Sequence, residues 1–540
     1  MRKKPDMKDA RIRKMNKYGL PAAIYALSFC YYLTYYNVGI SLSDEGYFVA
    51  STMRILNGQV PFRDFLYYPP GANYMVAGLF KVFGPDLILE RLFWVAVISG
   101  SVTLTFVLSR RLMPFPFFAF PTLLALIVPG PWHKSLLPFF YLLSVYGALA
   151  YMDRKSVARA ALMGVMAGAV IYFRYDLSVF ILAGTTCAVF AANFLADGRP
   201  KKQCAYETSA ILAGYMITIL PAALFMLSPD GGRDAIGYIL YLTFKQQGGG
   251  MMALPFPSLS LSPSCAGLRK FLEALFFYVP PAVIFSAFAY TSYRWKKGRL
   301  VTDDLIIFLM ALLGACAYNQ VVVRADWPHL LQAVQLPYII GSCLAWRVYK
   351  TSAAGQNPAG RLLAKGSVAA LTLVSLLFIT HNVNKVNLYT GAIGVLGQKE
   401  ERLNIPGAGL YVTKEEAGNL EAMTAYIDSK TSPGEPIQVF PYSPMLYFLA
   451  GRKNPMYFDA IFPGTFSGDG EVRSFINGLD NKDIRLIVFQ DISFTDRRDS
   501  AFKSYADPVY KYIINNYARD RGFGPYDIYI KKPFNNPAAR

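Results

Sequence analysis

The sequence predicts a polytopic α-helical membrane protein with a small α/β domain at its C-terminal end. Three observations predict it. The 540 residues are 54% hydrophobic and only 16% charged, where a soluble chain carries about 25% charge. Apolar runs of about 20 residues recur, the length that a bilayer core requires of a helix. From residue 409 those runs stop, and short strand and helix patterns take over.

About 11 spans are predicted, at residues 19–37, 88–109, 113–130, 135–152, 158–175, 177–195, 206–227, 271–293, 303–323, 330–347 and 366–382. The first follows a basic tail, 1–18, and runs on to Tyr36 without a small-residue cleavage site. It is therefore read as a retained span and not a cleaved signal. Residues 19–382 form the transmembrane domain, 383–408 a linker and 409–540 the α/β domain.

The formal net charge is +19. Such a balance can mark nucleic-acid binding. The distribution argues against it, because the basic residues outside the C-terminal domain come mostly in small clusters between apolar runs. The tail, Arg110-Arg111, Arg154-Lys155 with Arg159, Arg199 with Lys201-Lys202, the run 294–299 and the connection 347–365 hold 24 Lys and Arg. The opposite connections before residue 383 hold roughly half as many over longer segments, which is the positive-inside asymmetry. It places the N-terminus in the cytoplasm and the C-terminal domain outside. The membrane expected for the chain is a bacterial inner membrane.

The six cysteines, Cys30, Cys187, Cys204, Cys265, Cys316 and Cys343, lie mostly inside apolar runs, and none falls in the C-terminal domain. No CxxC or zinc spacing exists. Three histidines in the whole chain speak against a His-rich metal centre. Asp44, Glu45 and Asp326 are oxygen donors of the kind a hard divalent ion takes, yet no metal or other cofactor is predicted.

Two outer connections are long, 38–87 and 228–270, and function tends to live on long loops held by a rigid scaffold. The first contains amphipathic stretches, Tyr47 to Leu56 and Asn73 to Phe83, read as helices at the membrane interface. The second contains Gly248-Gly249-Gly250. In the C-terminal domain, Thr413 and Glu416 make a capping box for a helix running to Ile427. Pro436 to Phe440 and Arg485 to Phe489 read as buried strands, and Tyr526 to Ile530 as the last strand. Residues 443–450, 469–479 and 505–518 read as helices.

The sharpest chemical signal is Ser43-Asp44-Glu45-Gly46-Tyr47, just after the first span. Adjacent carboxylates raise each other's pKa, and one of them can act as general base on a hydroxyl. The plain alternative is Asp44 as N-cap of a helix starting at Glu45. A second signal is the run 62–71, which carries Arg63-Asp64, Tyr67-Tyr68 and Pro69-Pro70. Its tyrosines suit the headgroup level and can bind sugar faces or phosphate oxygens; the alternative is an aromatic anchor.

Phosphate recognition needs a cation. Arg174-Tyr175-Asp176 and Arg324-Ala325-Asp326-Trp327-Pro328-His329 lie at outer ends of spans. An arginine fork there can grip two phosphate oxygens, while the alternative is an Arg–Asp pair at the membrane rim. His329 is read as a proton carrier or a phosphate donor group, against a structural histidine. Lys245 and Arg233 in the second loop are weaker phosphate candidates, against solvated loop charges.

The stretch DEGYFVASTMRILNGQVPFRDFLYYPPGANYMVAGLFKVFG resembles the first outer loop of the GT-C glycosyltransferases. It is most similar to the branch (families 39 and 83) of dolichyl-phosphate-mannose–protein mannosyltransferases and bacterial lipid A aminoarabinose transferase. The shared pattern is Asp-Glu after the first span, a short helix, and an aromatic segment ending in Pro-Pro. The resemblance implies a GT-C-like fold, with Asp44 as catalytic carboxylate and Glu45 as its neighbour. Tyr67, Asp176 and Asp326 are read as supporting residues. Tyr68 departs from the lipid A branch, which has there a lysine that meets the donor phosphate. The motif VFPYSPMLYFLAGRKNP resembles segments after the spans of similar bacterial membrane proteins, and its domain is read as binding or positioning the acceptor.

The implied reaction is inverting transfer of a sugar from a polyprenyl-phosphate donor to a lipid, polysaccharide or protein hydroxyl. Other classes are weighed against it. A transporter needs ionisable groups near span centres and broken helices, and this chain has almost none of the former. An O-antigen-ligase-like enzyme also works at the outer face. A scaffold explains the topology but not the segment from Asp44 to Gly71.

Overall fold

The structure is a computed structural model. It describes residues 18–196, 198–228, 236–237, 253–262, 264–353, 358–383, 396–397, 399–495 and 497–533. Two compact units are present, one formed by 1–36, 91–222 and 256–397, the other by 37–90, 223–255 and 398–540.

The first unit is helical. Among the described residues, seven helices are long and apolar enough to cross a membrane: Leu87–Leu112, Trp132–Asp153, Tyr175–Phe194, Lys201–Leu227, Cys265–Lys296, Thr302–Val323 and Pro358–Val383. The predicted count of 11 is therefore not confirmed. Leu20–Leu33 and Val157–Tyr172 are apolar but shorter. With 14 residues, the former rises ~21 Å, less than the ~30 Å of a bilayer core. Prolines at 114, 116 and 121 crowd the predicted span 113–130, and only Ala119–Ile127 is helical there. Gln335–Ala353 carries Gln335, Arg347 and Lys350 and is less apolar.

Small residues let these helices approach. A Cβ on Gly164 would lie 1.9 Å from the Ile211 carbonyl oxygen, and one on Gly214 2.3 Å from that of Ala161. Helices Val157–Ala169 and Lys201–Leu227 therefore pack backbone to backbone, as small-residue stripes allow in membranes.

Polar groups of this unit concentrate at helix ends. Buried Asp304 is paired with Arg294 at 3.1 Å and Arg347 at 2.6 Å. Arg111 reaches Asp303 at 3.1 Å and Asp153 at 3.5 Å. Buried Glu207 is met by Arg199 at 3.1 Å and by the Tyr151 hydroxyl at 2.6 Å. A carboxylate buried in this way needs such partners, because an uncompensated one is costly. The arginines come from connections that the charge asymmetry groups on one face.

The second unit is α/β. Its sheet runs β3 (Gln438–Phe440), β4 (Leu486–Gln490), β6 (Tyr526–Lys531), β5 (Tyr517–Phe523). β3 and β4 are parallel, with Val439 opposite Val488; β4–β6 and β6–β5 are antiparallel. A short antiparallel pair, β1 (Glu401–Arg402) and β2 (Tyr411–Val412), precedes it. The helix predicted over 505–518 ends at Asn516, after which the chain turns into β5. β5 is an edge strand, exposed from Ala518 to Gly522, so it shows no buried alternation to read. β3 and β4 are buried almost throughout, which is why they are legible.

The loop segment 37–90 folds with this unit. Its two helices, Asp44–Leu56 and Gly71–Phe83, match the amphipathic stretches of the sequence. Backbone hydrogen bonds bind it to the C-terminal segment: Tyr411 N–H to Asn37 O at 2.8 Å, Gly39 N–H to Tyr411 O at 2.6 Å, Leu66 N–H to Tyr457 O at 2.9 Å, and Leu87 N–H to Gly407 O at 2.8 Å. Phe62 and Leu66 join Phe440, Met456, Phe458 and Phe489 in one buried apolar cluster.

Candidate functional site

In the second unit, the candidate residues gather around the start of helix Asp44–Leu56. That helix begins at Asp44, with Ser43 at the N-cap position and no side-chain cap. The cap expected of Asp44 is thus replaced, and its half-buried carboxylate accepts a hydrogen bond from the Tyr442 hydroxyl. Glu45 is buried at 7% exposure, and its Oε2 accepts from the Ser41 N–H at 3.1 Å. Glu45 thereby ties the turn before the helix to the helix itself.

Gly46 makes room for the C-terminal segment. A Cβ there would lie 2.4 Å from the Met445 nitrogen, so only glycine permits this approach. The Met445 N–H donates to Leu42 O at 3.2 Å, fixing helix Met445–Leu449 beside the Asp44 turn.

Tyrosines line the same place. Tyr47 and Tyr67 rings lie 4.9 Å apart, Tyr47 and Tyr68 6.2 Å, and Tyr47 and Tyr442 6.4 Å. The Tyr47 hydroxyl donates to Leu66 O at 3.1 Å. Tyr68 is 48% exposed, whereas burial pushes the Tyr67 phenol far up. Burial likewise holds the Tyr442 phenol well above its ordinary range, with the Asp44 carboxylate adding to it; Tyr442 therefore acts as a neutral donor.

Behind this face lies a buried ion pair. Arg54 Nη1 meets Asp459 at 2.8 Å, with side-chain exposures of 7% and 0%. Asn454 and Ser51 also donate to Asp459, at 2.8 and 3.4 Å. Arg54 lies 4.5 Å over the Phe65 ring.

In the first unit, the cationic candidates meet at one end of helix Thr302–Val323. Arg174 grips Asp176 with two hydrogen bonds, 2.8 and 3.0 Å, and points Nη1 at Gln320 Oε1 at 3.5 Å. Arg324 caps the same helix one turn beyond Gln320 and donates from Nε to Asp326 at 2.7 Å. The opposite Asp326 oxygen accepts from the His329 N–H at 2.9 Å and faces its Nδ1 at 2.5 Å. Both Arg–Asp pairs named as the plain alternative are thus formed, and all five side chains remain half-buried.

Burial pushes the Asp326 carboxyl up, but the His329 ring and N–H and the Arg324 guanidinium outweigh it and hold it at about 2. Burial pulls His329 below its ordinary value, and Lys134 adds to that, against the raising bond to Asp326. His329 is therefore neutral near pH 7, with its Nδ1–H donating to the Asp326 carboxylate and Nε2 an acceptor. It meets a phosphate as a donor only when protonated.

Lys134 is the cation that sequence reading missed; a single lysine between two apolar runs carries no pattern. Its positive charge bears on His329, where it disfavours the protonated ring. Tyr442 was missed as well, although its segment had been singled out. Lys245, Arg233 and Gly248–Gly250 lie outside the described residues. Among the described residues no group of three His, Cys, Asp or Glu could hold a metal ion.

No family model matches the chain, and no curated protein matches it by sequence. Solved structures do. ArnT from Cupriavidus metallidurans, in a crystal structure bound to undecaprenyl phosphate, is 11% identical; the match covers 95% of this chain and 98% of that one at a TM-score of 0.51. The oligosaccharyltransferase of Archaeoglobus fulgidus, in its apo form, is 12% identical, with 95% of this chain and 75% of that one covered at a TM-score of 0.51. Both are GT-C fold glycosyltransferases. The chain is a multi-pass α-helical membrane protein with a small C-terminal sheet region, and its fold is the GT-C fold.

Proposed function

We propose that this chain is a membrane glycosyltransferase that moves a sugar from a polyprenyl-phosphate donor to an acceptor hydroxyl outside the cytoplasm, inverting the anomeric carbon, in cell-envelope glycan or glycolipid assembly. The observation that carries the reading is Asp44: a half-buried carboxylate with a fixed hydrogen-bond partner, ringed by tyrosines, in a chain of GT-C fold. A solved structure of that fold holds undecaprenyl phosphate, which supports a lipid-phosphate donor here.

Asp44 takes the proton from the acceptor hydroxyl as its oxygen attacks the anomeric carbon. The bond from that carbon to the phosphate oxygen breaks on the opposite side, and polyprenyl phosphate leaves with the electron pair. General-base assistance of this kind contributes about 10²- to 10⁴-fold. Arg174, Arg324 and Lys134 supply positive charge for the departing phosphate, with Asp176 and Asp326 orienting the two arginines. Electrostatic stabilisation of a leaving group matters as much as the base. Glu45 supports the Asp44 turn, while Tyr67 and Tyr68 offer rings and hydroxyls to sugar or phosphate. No metal is required in this scheme.

The test is a transfer assay on purified protein in lipid, with radiolabelled undecaprenyl-phosphate glucose, mannose, galactose and aminoarabinose as donors. Wild type is expected to release undecaprenyl phosphate from one of them. Asp44→Asn is expected to abolish release without loss of folded protein. Arg174→Ala and Arg324→Ala are each expected to cost about 10- to 100-fold in kcat/KM, the worth of a hydrogen bond to a charged group. Undiminished release by Asp44→Asn excludes Asp44 as base.

A further inference from the structure

Within its own unit, Asp44 is approached by Tyr442 of the C-terminal segment. Tyr442 follows β3 directly, after Phe440 and Pro441. Its ring is wedged between Phe462, 6.0 Å away, and Phe494, 5.8 Å away. The next residue is pinned to the sheet: the Ser443 hydroxyl donates to Gln490 Oε1 at 3.2 Å and lies 3.1 Å from the Tyr526 hydroxyl. Two residues further, the Met445 N–H holds Leu42 O. The phenol is thus placed by the sheet on one side and by the chain leading into Asp44 on the other.

We propose that Tyr442 is a positioning residue for the transfer reaction: by donating its O–H to Asp44 Oδ1, it fixes the direction in which the carboxylate receives the acceptor's proton. The inference rests on Asp44 being the base. A short carboxylate otherwise rotates about its Cβ–Cγ bond, and a misplaced base loses rate out of proportion to the displacement. Tyr442 also gives the C-terminal segment a part in the chemistry beyond acceptor binding. If the tyrosine were only packing, phenylalanine would serve as well, because the contacts with Phe462 and Phe494 involve the ring alone.

Tyr442→Phe tests the difference, since it removes one O–H and keeps the ring. The probe is the radiolabelled undecaprenyl-phosphate sugar, among the four above, that wild type turns over. The expected result is a kcat lowered about 10- to 100-fold, the effect of losing a hydrogen bond to a charged group, with the donor KM and the melting temperature unchanged. An unchanged kcat overturns the inference. So does a lowered melting temperature with KM and kcat disturbed together, which marks a structural role. Wild-type turnover that survives Asp44→Asn, or no turnover by wild type, defeats the proposed function itself and this inference with it. Loss with Asp44→Asn but not with Tyr442→Phe defeats the inference alone.

Discussion

At the residue scale, the pair Asp326–His329 makes a pH dependence. Asp326 titrates at about 2 in the folded chain, below its ordinary 3.8. Folding therefore favours its carboxylate, and that stability is present above pH 3.8 and lost as pH falls towards 2. His329 lies below its ordinary 6.5. Its unfolded ring takes up a proton first, so stability is full above 6.5 and declines as pH drops beneath it. The melting temperature in lipid is expected to fall from pH 7 to about 5. In His329→Gln that part of the curve should flatten, and the loss below pH 4 should shrink, because only the residue 329 N–H and Arg324 are left to hold the Asp326 carboxyl down. A wild-type curve level over this range contradicts the assignment.

Residue types single out some candidates and conceal others. Asp44 stands out because two adjacent carboxylates after an apolar span are conspicuous. Its partner does not, because Tyr442 stands 398 residues away in sequence. The N-cap expectation failed for the same reason: it considered only local partners, and a distant phenol took the carboxylate.

At the scale of elements, helix Asp44–Leu56 is held at both ends. Gly46 lets Met445 approach its first turn, and Arg54 anchors its last turn to Asp459. Removing one member of a buried pair leaves the other uncompensated and costs about 3–5 kcal/mol. Asp459→Ala is expected to destabilise the second unit by that amount, read as a lowered unfolding midpoint. The double change of Arg54→Met with Asp459→Leu should recover part of the loss. A melting curve for Asp459→Ala equal to wild type would show that the pair contributes nothing net.

The elements themselves were well forecast where burial is regular. β3, β4 and β6 and the helices at Lys414–Lys430 and Asp469–Asn481 follow the predicted pattern. β5 escaped because an edge strand with charged residues on both faces has no hydrophobic period. The spans predicted at 19–37, 113–130, 158–175 and 330–347 are not confirmed, because the helices found there are shorter or less apolar than a bilayer core requires.

At the scale of the whole molecule, the second unit is assembled from distant pieces of chain. Phe62 and Leu66 belong to the same apolar core as β3 and β4, and backbone hydrogen bonds join residues 37–66 to 411–457. Residues 398–540 expressed alone should therefore lack part of their core and expose apolar surface. Hydrogen exchange over β3 and β4 is expected to be faster in that fragment than in the full chain. Equal protection would show that the C-terminal segment folds without the loop.

The sequence by itself determined the membrane class, the helical body, the small α/β region and the first-loop carboxylate. Those follow from composition, run length and adjacent residue types, which are local quantities. Tertiary structure alone decided that Tyr442 meets Asp44, that Arg54 is buried on Asp459, and that Lys134 bears on His329. Each joins residues far apart in the chain, and no local period or spacing encodes which distant side chain will satisfy a buried charge.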